Sequence, residues 1–106
     1  MLTIMIRYTG TNGSAKMFVE EMLNRGIVDQ IRCENGNIRY EYFLPLDDEE
    51  SVVLIDSWAN QEALDIHHSL PLMKTISELR EKYDLHMKVE KYQSLEDTIN
   101  EKFIRK

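Results

Sequence analysis

The sequence has little cysteine and no long apolar run, and both absences narrow the class of protein. Cys33 is the only cysteine among 106 residues, so no internal disulfide can form. No spacing of cysteine and histidine indicates a zinc site. Arg7 interrupts the apolar N-terminus, and no later run approaches the roughly 20 residues of a membrane span. We therefore expect a cytoplasmic protein in a reducing compartment, with no membrane association.

Positive charge is also scarce. The 13 lysines and arginines face 19 aspartates and glutamates, which gives a formal net charge of −6. Nucleic-acid binding requires a concentrated basic face that releases counterions, so we expect no nucleic-acid partner. The acidic run Asp47–Glu50 follows Pro45 and indicates a solvated loop between strands. Four adjacent carboxylates in a loop do not converge on one ion, so we predict no metal site there.

The composition that remains is that of a globular domain. Hydrophobic residues make up 42% of the chain and charged residues 30%. A chain of about 100 residues buries roughly two thirds of its surface on folding. We therefore predict a single domain spanning residues 1–106.

Alternation of apolar and polar residues predicts strands. Leu2, Ile4, Ile6 and Tyr8 share one side of the first strand, because successive side chains of a strand point to opposite faces. The third strand is apolar at its centre on both faces, so both faces should be covered. The predicted strands span residues 2–8, 38–44, 51–58 and 85–90.

Helical spacing of apolar residues predicts the helices between these strands. The first helix follows the turn at residues 10–14 and ends near Gly26. Asn60 caps a second helical region, which a new segment continues from Pro71. Residues 94–97 resemble a capping box before a short terminal helix with Leu95, Ile99 and Phe103.

The element order is therefore β-α-β-β-α-β with a helical tail. This is the connectivity of an α+β ferredoxin-like sandwich, in which both helices cover one face of the sheet. The other face needs a second cover, and another copy of the same sheet supplies it at least cost. We therefore predict a homodimer that forms through the sheet faces.

Two segments carry a family resemblance. Residues 34–41 (ENGNIRYE) form a glycine turn that enters the second strand. Residues 58–67 (WANQEALDIH) join a strand-ending tryptophan, a short acidic cap, an alanine-leucine pair and a histidine nine residues after the tryptophan. In these segments, and in element order over nearly the whole chain, the sequence resembles the antibiotic biosynthesis monooxygenase family, the dimeric α/β-barrel group that includes small quinol monooxygenases.

The resemblance implies a ligand pocket between each sheet and its own helices. For some relatives it also implies oxygenation of a quinol-like or polycyclic aromatic compound with no flavin, haem or metal cofactor. Other relatives cleave haem or isomerise a small phosphorylated signal, and we favour these reactions less. Haem cleavage would need a histidine at residues 70–83 and an asparagine at residues 2–9, and neither is present. Many relatives also place a histidine directly after the proline, where this chain has Leu72 after Pro71.

His67 is the candidate catalytic base, because the imidazole side chain titrates near neutrality. A buried structural histidine that ties the helix to the sheet is the alternative interpretation. Trp58 is a candidate for stacking on a flat substrate, although a large aromatic at a strand end also suits a core. His68 is a further candidate, but adjacent helical residues point about 100° apart, so it cannot replace the missing histidine.

Tyr40, Tyr42 and Arg7 are candidate substrate-binding residues. Two phenols on one face of the second strand and a cation on the first strand hold an anionic oxygen if all three share the pocket face. Core packing of the tyrosines, or an ion pair of Arg7 at the surface or at an interface, is the alternative. Asn60 is a helix cap first, and any contact with substrate is additional.

The sequence therefore favours a cofactor-independent monooxygenase that acts on a small aromatic, quinol-like compound. The alternative is a non-catalytic dimeric module that binds a small ligand or has a structural role. The two hypotheses differ in their expectation for His67, which lines a closed cavity in an enzyme and lies in a filled core in a structural protein.

Overall fold

The computed structural model describes residues 1–95 and 101–105. The elements follow the chain in the order β1 (Leu2–Thr9), α1 (Ser14–Asn24), α2 (Ile27–Arg32), β2 (Asn37–Phe43), β3 (Ser51–Trp58), α3 (Gln61–Ser69), α4 (Leu72–Lys82) and β4 (His86–Gln93). A 3-10 turn at Glu101–Phe103 follows them. All four predicted strands are present, and β3 has the predicted bounds.

The four strands form one antiparallel sheet in the order β2-β3-β1-β4. β1 lies at the centre, where it pairs with β3 on one side and β4 on the other. This strand order and the helices between the strands confirm the α+β ferredoxin-like prediction. Within one chain the sheet is open rather than a closed barrel, since β2 and β4 are its edges.

One face of the sheet, the helix face, carries the core. It buries alternate residues of β1 and β3 against the four helices, as period-two alternation predicts. The members with the largest fully buried side chains are Trp58, Tyr8, Phe18, Met22, Ile31, Leu54 and Ile76. The opposite face, the open face, presents residues Thr3, Met5, Arg7, Ser51, Val53, Ile55, Ser57, Arg39, Glu41, Phe43, Lys88, Glu90 and Tyr92, as the strand register shows.

A β-bulge interrupts the pairing of β2 with β3. Asn37 opposes Trp58, while Arg39 opposes Ser57, so Ile38 is the extra residue. Beyond the bulge Tyr40 opposes Asp56 and therefore lies on the helix face. The bulge thus determines which side of β2 is buried.

The helix α2 was not predicted, because Gly26 was interpreted as the end of the helical region. The first helix ends at Asn24, and Gly26, with φ of 72°, reverses the chain into a second helix instead. Ile27, Val28 and Ile31 of this second helix are buried. The short helix α2 is therefore part of the core and not an exposed connection between α1 and β2.

The predicted terminal helix falls largely outside the described part of the chain. Residues 96, 97 and 99 of the proposed capping box and helix lie outside it, and Phe103 lies in the 3-10 turn with its side chain exposed. Within the described residues, no helix has the length and apolar character to cross a membrane.

Candidate active site

His67 reaches the core because Asn60 fixes the start of α3. The Asn60 Oδ1 atom accepts a hydrogen bond from the backbone N–H of Ala63 at 2.9 Å, as predicted for a helix cap. Leu64 and His67 lie one turn apart on the same side of the helix, and both are buried. The His67 residue is only 3% exposed.

Glu34 fixes the orientation of the His67 ring. Its two carboxylate oxygens lie 2.9 and 3.0 Å from Nδ1 of His67, and both side chains are largely shielded from water. A carboxylate only accepts hydrogen bonds, so we assign the ring hydrogen to Nδ1 and the lone pair to Nε2. The pair therefore has the geometry of a base held in one tautomer by a carboxylate.

Trp58 forms the surface on which the His67 ring packs. The two ring centroids are 4.6 Å apart and the planes are tilted by 32°. The Trp58 indole is fully buried, and its Nε1–H donates to Oδ1 of Asp56 at 2.7 Å. Burial raises the pKa of Asp56 to about 7, and the charge of Glu34 adds to this shift, whereas Trp58 and Arg80 oppose it. The indole N–H of Trp58 is therefore bonded to a carboxyl group, that of Asp56, whose pKa lies near neutrality.

Three phenols lie on the helix face beside this carboxyl group. The hydroxyl oxygens of Tyr40 and Tyr42 are 3.4 Å apart, and Tyr8 accepts a hydrogen bond from Nε of Arg80 at 3.0 Å. Burial raises the pKa of Tyr40 and Tyr42 well above the usual range of a tyrosine. Both hydroxyls therefore remain protonated at neutral pH and are hydrogen-bond donors rather than bases.

Arg7 does not join these phenols. It points to the open face, where its Nη2 donates to Asp48 of the β2–β3 loop at 2.8 Å. Asp48 also accepts from the Ser51 hydroxyl at 2.6 Å, and these contacts lower the pKa of Asp48. The proposed cluster of Tyr40, Tyr42 and Arg7 is therefore divided between the two faces of the sheet.

Asn60 and His68 lie at the outer edge of the site. Asn60 is exposed and lines a depression of about 220 Å³ together with Ala59 and Ile66. His68 is also exposed, and its ring lies 5.5 Å from that of His67. Partial burial of its ring and the neighbouring His67 lower the pKa of His68, which favours its neutral form.

Tyr42 also lines a larger depression, of about 400 Å³, between α1 and the edge strand β2. This volume lies in the range of small-molecule sites. The remaining wall residues are Lys16, Val19, Glu20, Leu23, Arg32, Glu41 and Leu44. Its lining combines aliphatic side chains with charges of both signs.

Three residues of the site were missed, namely Asp56, Glu34 and Arg80, and the sequence contained a local signal for two of them, Asp56 and Arg80. Asp56 interrupts an apolar strand two residues before Trp58, so alternation puts both on one face. Arg80 follows Ile76 by four residues and therefore shares its side of α4. The pairing of Glu34 with His67 joins residues 33 positions apart, and no local pattern reports such a contact.

The sequence of residues 1–79 matches the family model for antibiotic biosynthesis monooxygenases. The chain belongs to this family. The match ends within α4, so it includes His67, Trp58, Asp56 and Glu34. A comparison with curated proteins found no significant match.

Solved structures share the fold of the antibiotic biosynthesis monooxygenase family over nearly the whole chain. A Deinococcus radiodurans protein that carries the family name superposes with a TM-score of 0.81 at 18% identity, over 94% of this chain and 97% of its own. A Pseudomonas aeruginosa protein gives a TM-score of 0.74 at 24% identity, over 89% and 93% of the two chains. SnoaB, a cofactor-independent oxygenase from Streptomyces nogalater, gives 0.74 at 14% identity, over 91% and 94%. At these identities the similarity establishes the fold alone.

Proposed function

We propose that this protein is a monooxygenase that oxidises a small aromatic, quinol-like compound with O₂ and without a bound cofactor. The observation that carries the proposal is the buried Glu34–His67 pair packed on Trp58, in a chain of the antibiotic biosynthesis monooxygenase family. The cofactor-independent oxygenase SnoaB has the same fold, which supports the choice of chemistry.

In the proposed reaction the Nε2 atom of His67 accepts a proton from an acidic C–H or O–H group of the substrate. The resulting anion is electron-rich and transfers electrons to O₂, and a carbon–oxygen bond forms. The peroxide anion then takes the proton back from His67 and becomes a hydroperoxide. The O–O bond then breaks, so that one oxygen atom remains on carbon as a carbonyl group and the other leaves as water. The substrate loses four electrons and O₂ gains four, so no further reductant is needed.

Glu34 assists this reaction through electrostatics. When His67 gains the proton, its imidazolium ion lies 2.9 Å from a carboxylate in a largely buried site, where the attraction is stronger than in water. Trp58 excludes water on one side of the ring, because the indole is fully buried against it. The protein contribution is thus a held base in a dry environment.

The alternative is a non-catalytic module, and one observation favours it. His67 is 3% exposed and packed between Glu34 and Trp58, which suits a residue that ties α3 to the sheet and to the turn before β2. In that case the Glu34–His67 contact stabilises the fold, and His67 takes no part in a reaction.

Oxygen consumption separates the two functions. Purified, metal-free protein is incubated with a panel of quinols and anthrone-like compounds, and wild type is compared with His67→Ala and with His86→Ala as the matched control. His86 is exposed on β4 and opposes Thr9 on the open face, away from the site. We expect His67→Ala to lower oxygen uptake about 100-fold or more, while His86→Ala retains it.

Two other outcomes contradict parts of this proposal. Uptake that is equal in wild type and His67→Ala removes His67 from the reaction. A folded wild-type protein that turns over no compound of the panel favours the non-catalytic module.

A further inference from the structure

Asp56 is a carboxyl group in the centre of the sheet. The residue is 4% exposed, and its strand neighbours in the register are Ile4 of β1 and Tyr40 of β2. A buried carboxyl group costs free energy unless specific contacts compensate it. Here the compensating contact is the 2.7 Å hydrogen bond from Nε1–H of Trp58.

That hydrogen bond orients the indole. An indole has one N–H group, so an acceptor at a fixed point selects the rotation of the ring within its pocket. The face of the ring lies against His67 at 4.6 Å, and Glu34 holds the other end of the imidazole. The contacts therefore run from Asp56 through Trp58 and His67 to Glu34 without interruption.

We propose that Asp56 is a positioning residue of the His67 site, whose carboxyl group fixes the indole of Trp58 and, through it, the ring plane of His67. The kinetic consequence rests on the monooxygenase function proposed above. The geometric consequence does not, since it concerns only the orientations of the Trp58 and His67 rings.

The groups that face Asp56 come from each layer around it. They are Tyr8 of β1, Tyr40 and Tyr42 of β2, Arg80 of α4, Glu34 of the turn before β2 and, across the indole, His67 of α3. Burial raises the pKa of Asp56 to about 7, so its charge changes in a range where the phenols and the guanidinium group do not change theirs. His67 packs on the same indole, so its imidazole needs a separate control.

Fluorescence of Trp58 tests the contact directly, because Trp58 is the only tryptophan in the chain. Emission is recorded from pH 5 to 9 for wild type, Asp56→Asn and His67→Gln. Asparagine retains an oxygen that accepts from Nε1–H but does not titrate, while glutamine removes the imidazole. We expect a transition near neutral pH in wild type and in His67→Gln and its loss in Asp56→Asn. Persistence of the transition in Asp56→Asn, or its absence in wild type or His67→Gln, overturns the proposal.

Kinetics and NMR test the positioning role. Asp56→Leu removes the acceptor, so the Nε1–H resonance of Trp58 should move, and kcat should fall about 10- to 100-fold with KM within about twofold of wild type. Asp56→Asn should retain most of kcat, because asparagine keeps an acceptor for the hydrogen bond.

An unchanged indole resonance in a folded Asp56→Leu protein overturns the proposal, as does equal loss of kcat in Asp56→Leu and Asp56→Asn. If wild type consumes no oxygen, the monooxygenase function fails, and the fluorescence series still decides whether Asp56 holds Trp58.

Discussion

Two carboxyl groups flank the stacked rings of Trp58 and His67, and their environments differ. The Glu34 side chain retains 15% of its exposure and lies in a turn, whereas Asp56 is buried in the middle of the sheet. Burial raises the pKa of Asp56 because water no longer stabilises the charged form. The same functional group thus occupies two environments, with Asp56 bonded to the indole of Trp58 and Glu34 to the imidazole of His67.

Because of this environment, the contribution of Asp56 to the free energy of unfolding depends on pH. The pKa of Asp56 rises from an ordinary 3.8 to about 7 on folding, so between these values the folded chain binds more protons than the unfolded chain. Stability therefore falls as pH rises through this window, by at most about 1.4 kcal/mol per pH unit. We expect Asp56→Asn to flatten the free energy of unfolding between pH 4 and 7, measured by urea unfolding at each pH.

The matched control for this series is Asp47→Asn, which makes the same change in an exposed loop. Its profile should run parallel to that of wild type. If Asp56→Asn also runs parallel to wild type, the carboxyl group of Asp56 does not titrate in this window and the prediction is wrong.

At the scale of elements, the turn at Gly36 sets how closely α3 approaches the sheet. Gly36 has φ of +85°, and a Cβ atom there would lie 2.6 Å from Cβ of Ala63 on α3. Gly36→Ala therefore combines backbone strain with a steric clash, and we expect a loss of about 2 to 4 kcal/mol in the free energy of unfolding. Gly13→Ala is the control, because Gly13 has φ of +80° with open space around it.

Urea unfolding measures both glycine variants. Gly13→Ala should cost about 1 to 2 kcal/mol from the backbone alone. If Gly36→Ala lowers the free energy of unfolding no more than Gly13→Ala does, the close approach of α3 to the turn does not affect stability, and the prediction is wrong.

A second contact between elements joins α1 to the end of α4. Glu21 accepts hydrogen bonds from Nζ of Lys82 at 2.7 Å and from the Tyr83 hydroxyl at 2.5 Å, which lower the pKa of Glu21 to about 2. The unfolded chain binds more protons between pH 4.5 and 2, so this contact loses its stabilising effect as pH falls through that window. Lys82 is exposed at 58% of its side chain, so the effect is modest and decreases with added salt.

We expect Glu21→Gln to lower the urea midpoint slightly above pH 4.5 and to match wild type near pH 2. Glu20→Gln changes the neighbouring, exposed residue of α1 by the same charge and is the control. A difference between wild type and Glu21→Gln that stays constant with pH contradicts the assignment.

Local patterns predicted the elements better than the contacts between them. Alternation predicted β1, a segment with an apolar centre on both faces predicted β3, and Asn60 predicted the start of α3, because these signals lie within a few residues. The helix α2 was missed because a glycine in the sequence can mark either the end of one helix or the start of the next, and Gly26 precedes α2. His67 and Trp58 came from a family resemblance, and the positions of Arg7 and Tyr40 on opposite faces follow from a strand register that no local pattern contains.

At the scale of the whole molecule, the open face has a partly exposed apolar centre. Its centre is formed by Met5, Val53 and Ile55, with a depression of about 260 Å³ between Met5, Arg7 and Lys88. Charges of both signs surround this apolar centre, which suits contact with an identical surface across a two-fold axis. We propose that two chains pack through their open faces.

Light scattering after gel filtration tests this assembly. We expect wild type to have the mass of a dimer and Ile55→Asp to have the mass of a monomer, because the substitution places a charge at the centre of the interface. Ile66→Asp is the control, since Ile66 is exposed on α3, among the helices rather than on the open face. A monomeric wild type, or a dimeric Ile55→Asp, contradicts the proposal.

The bulge at Ile38 has a consequence for misfolding. If β2 paired regularly from Asn37, Arg39 would oppose Asp56 and Glu41 would oppose Leu54, so a slip of one residue would drive both charges into the core. Burying the Glu41 carboxylate against Leu54 without a partner costs several kcal/mol, whereas the bulged register places the phenols Tyr40 and Tyr42 on the helix face instead. The regular pairing is therefore a high-energy alternative, and the bulge at Ile38 keeps Arg39 and Glu41 on the open face.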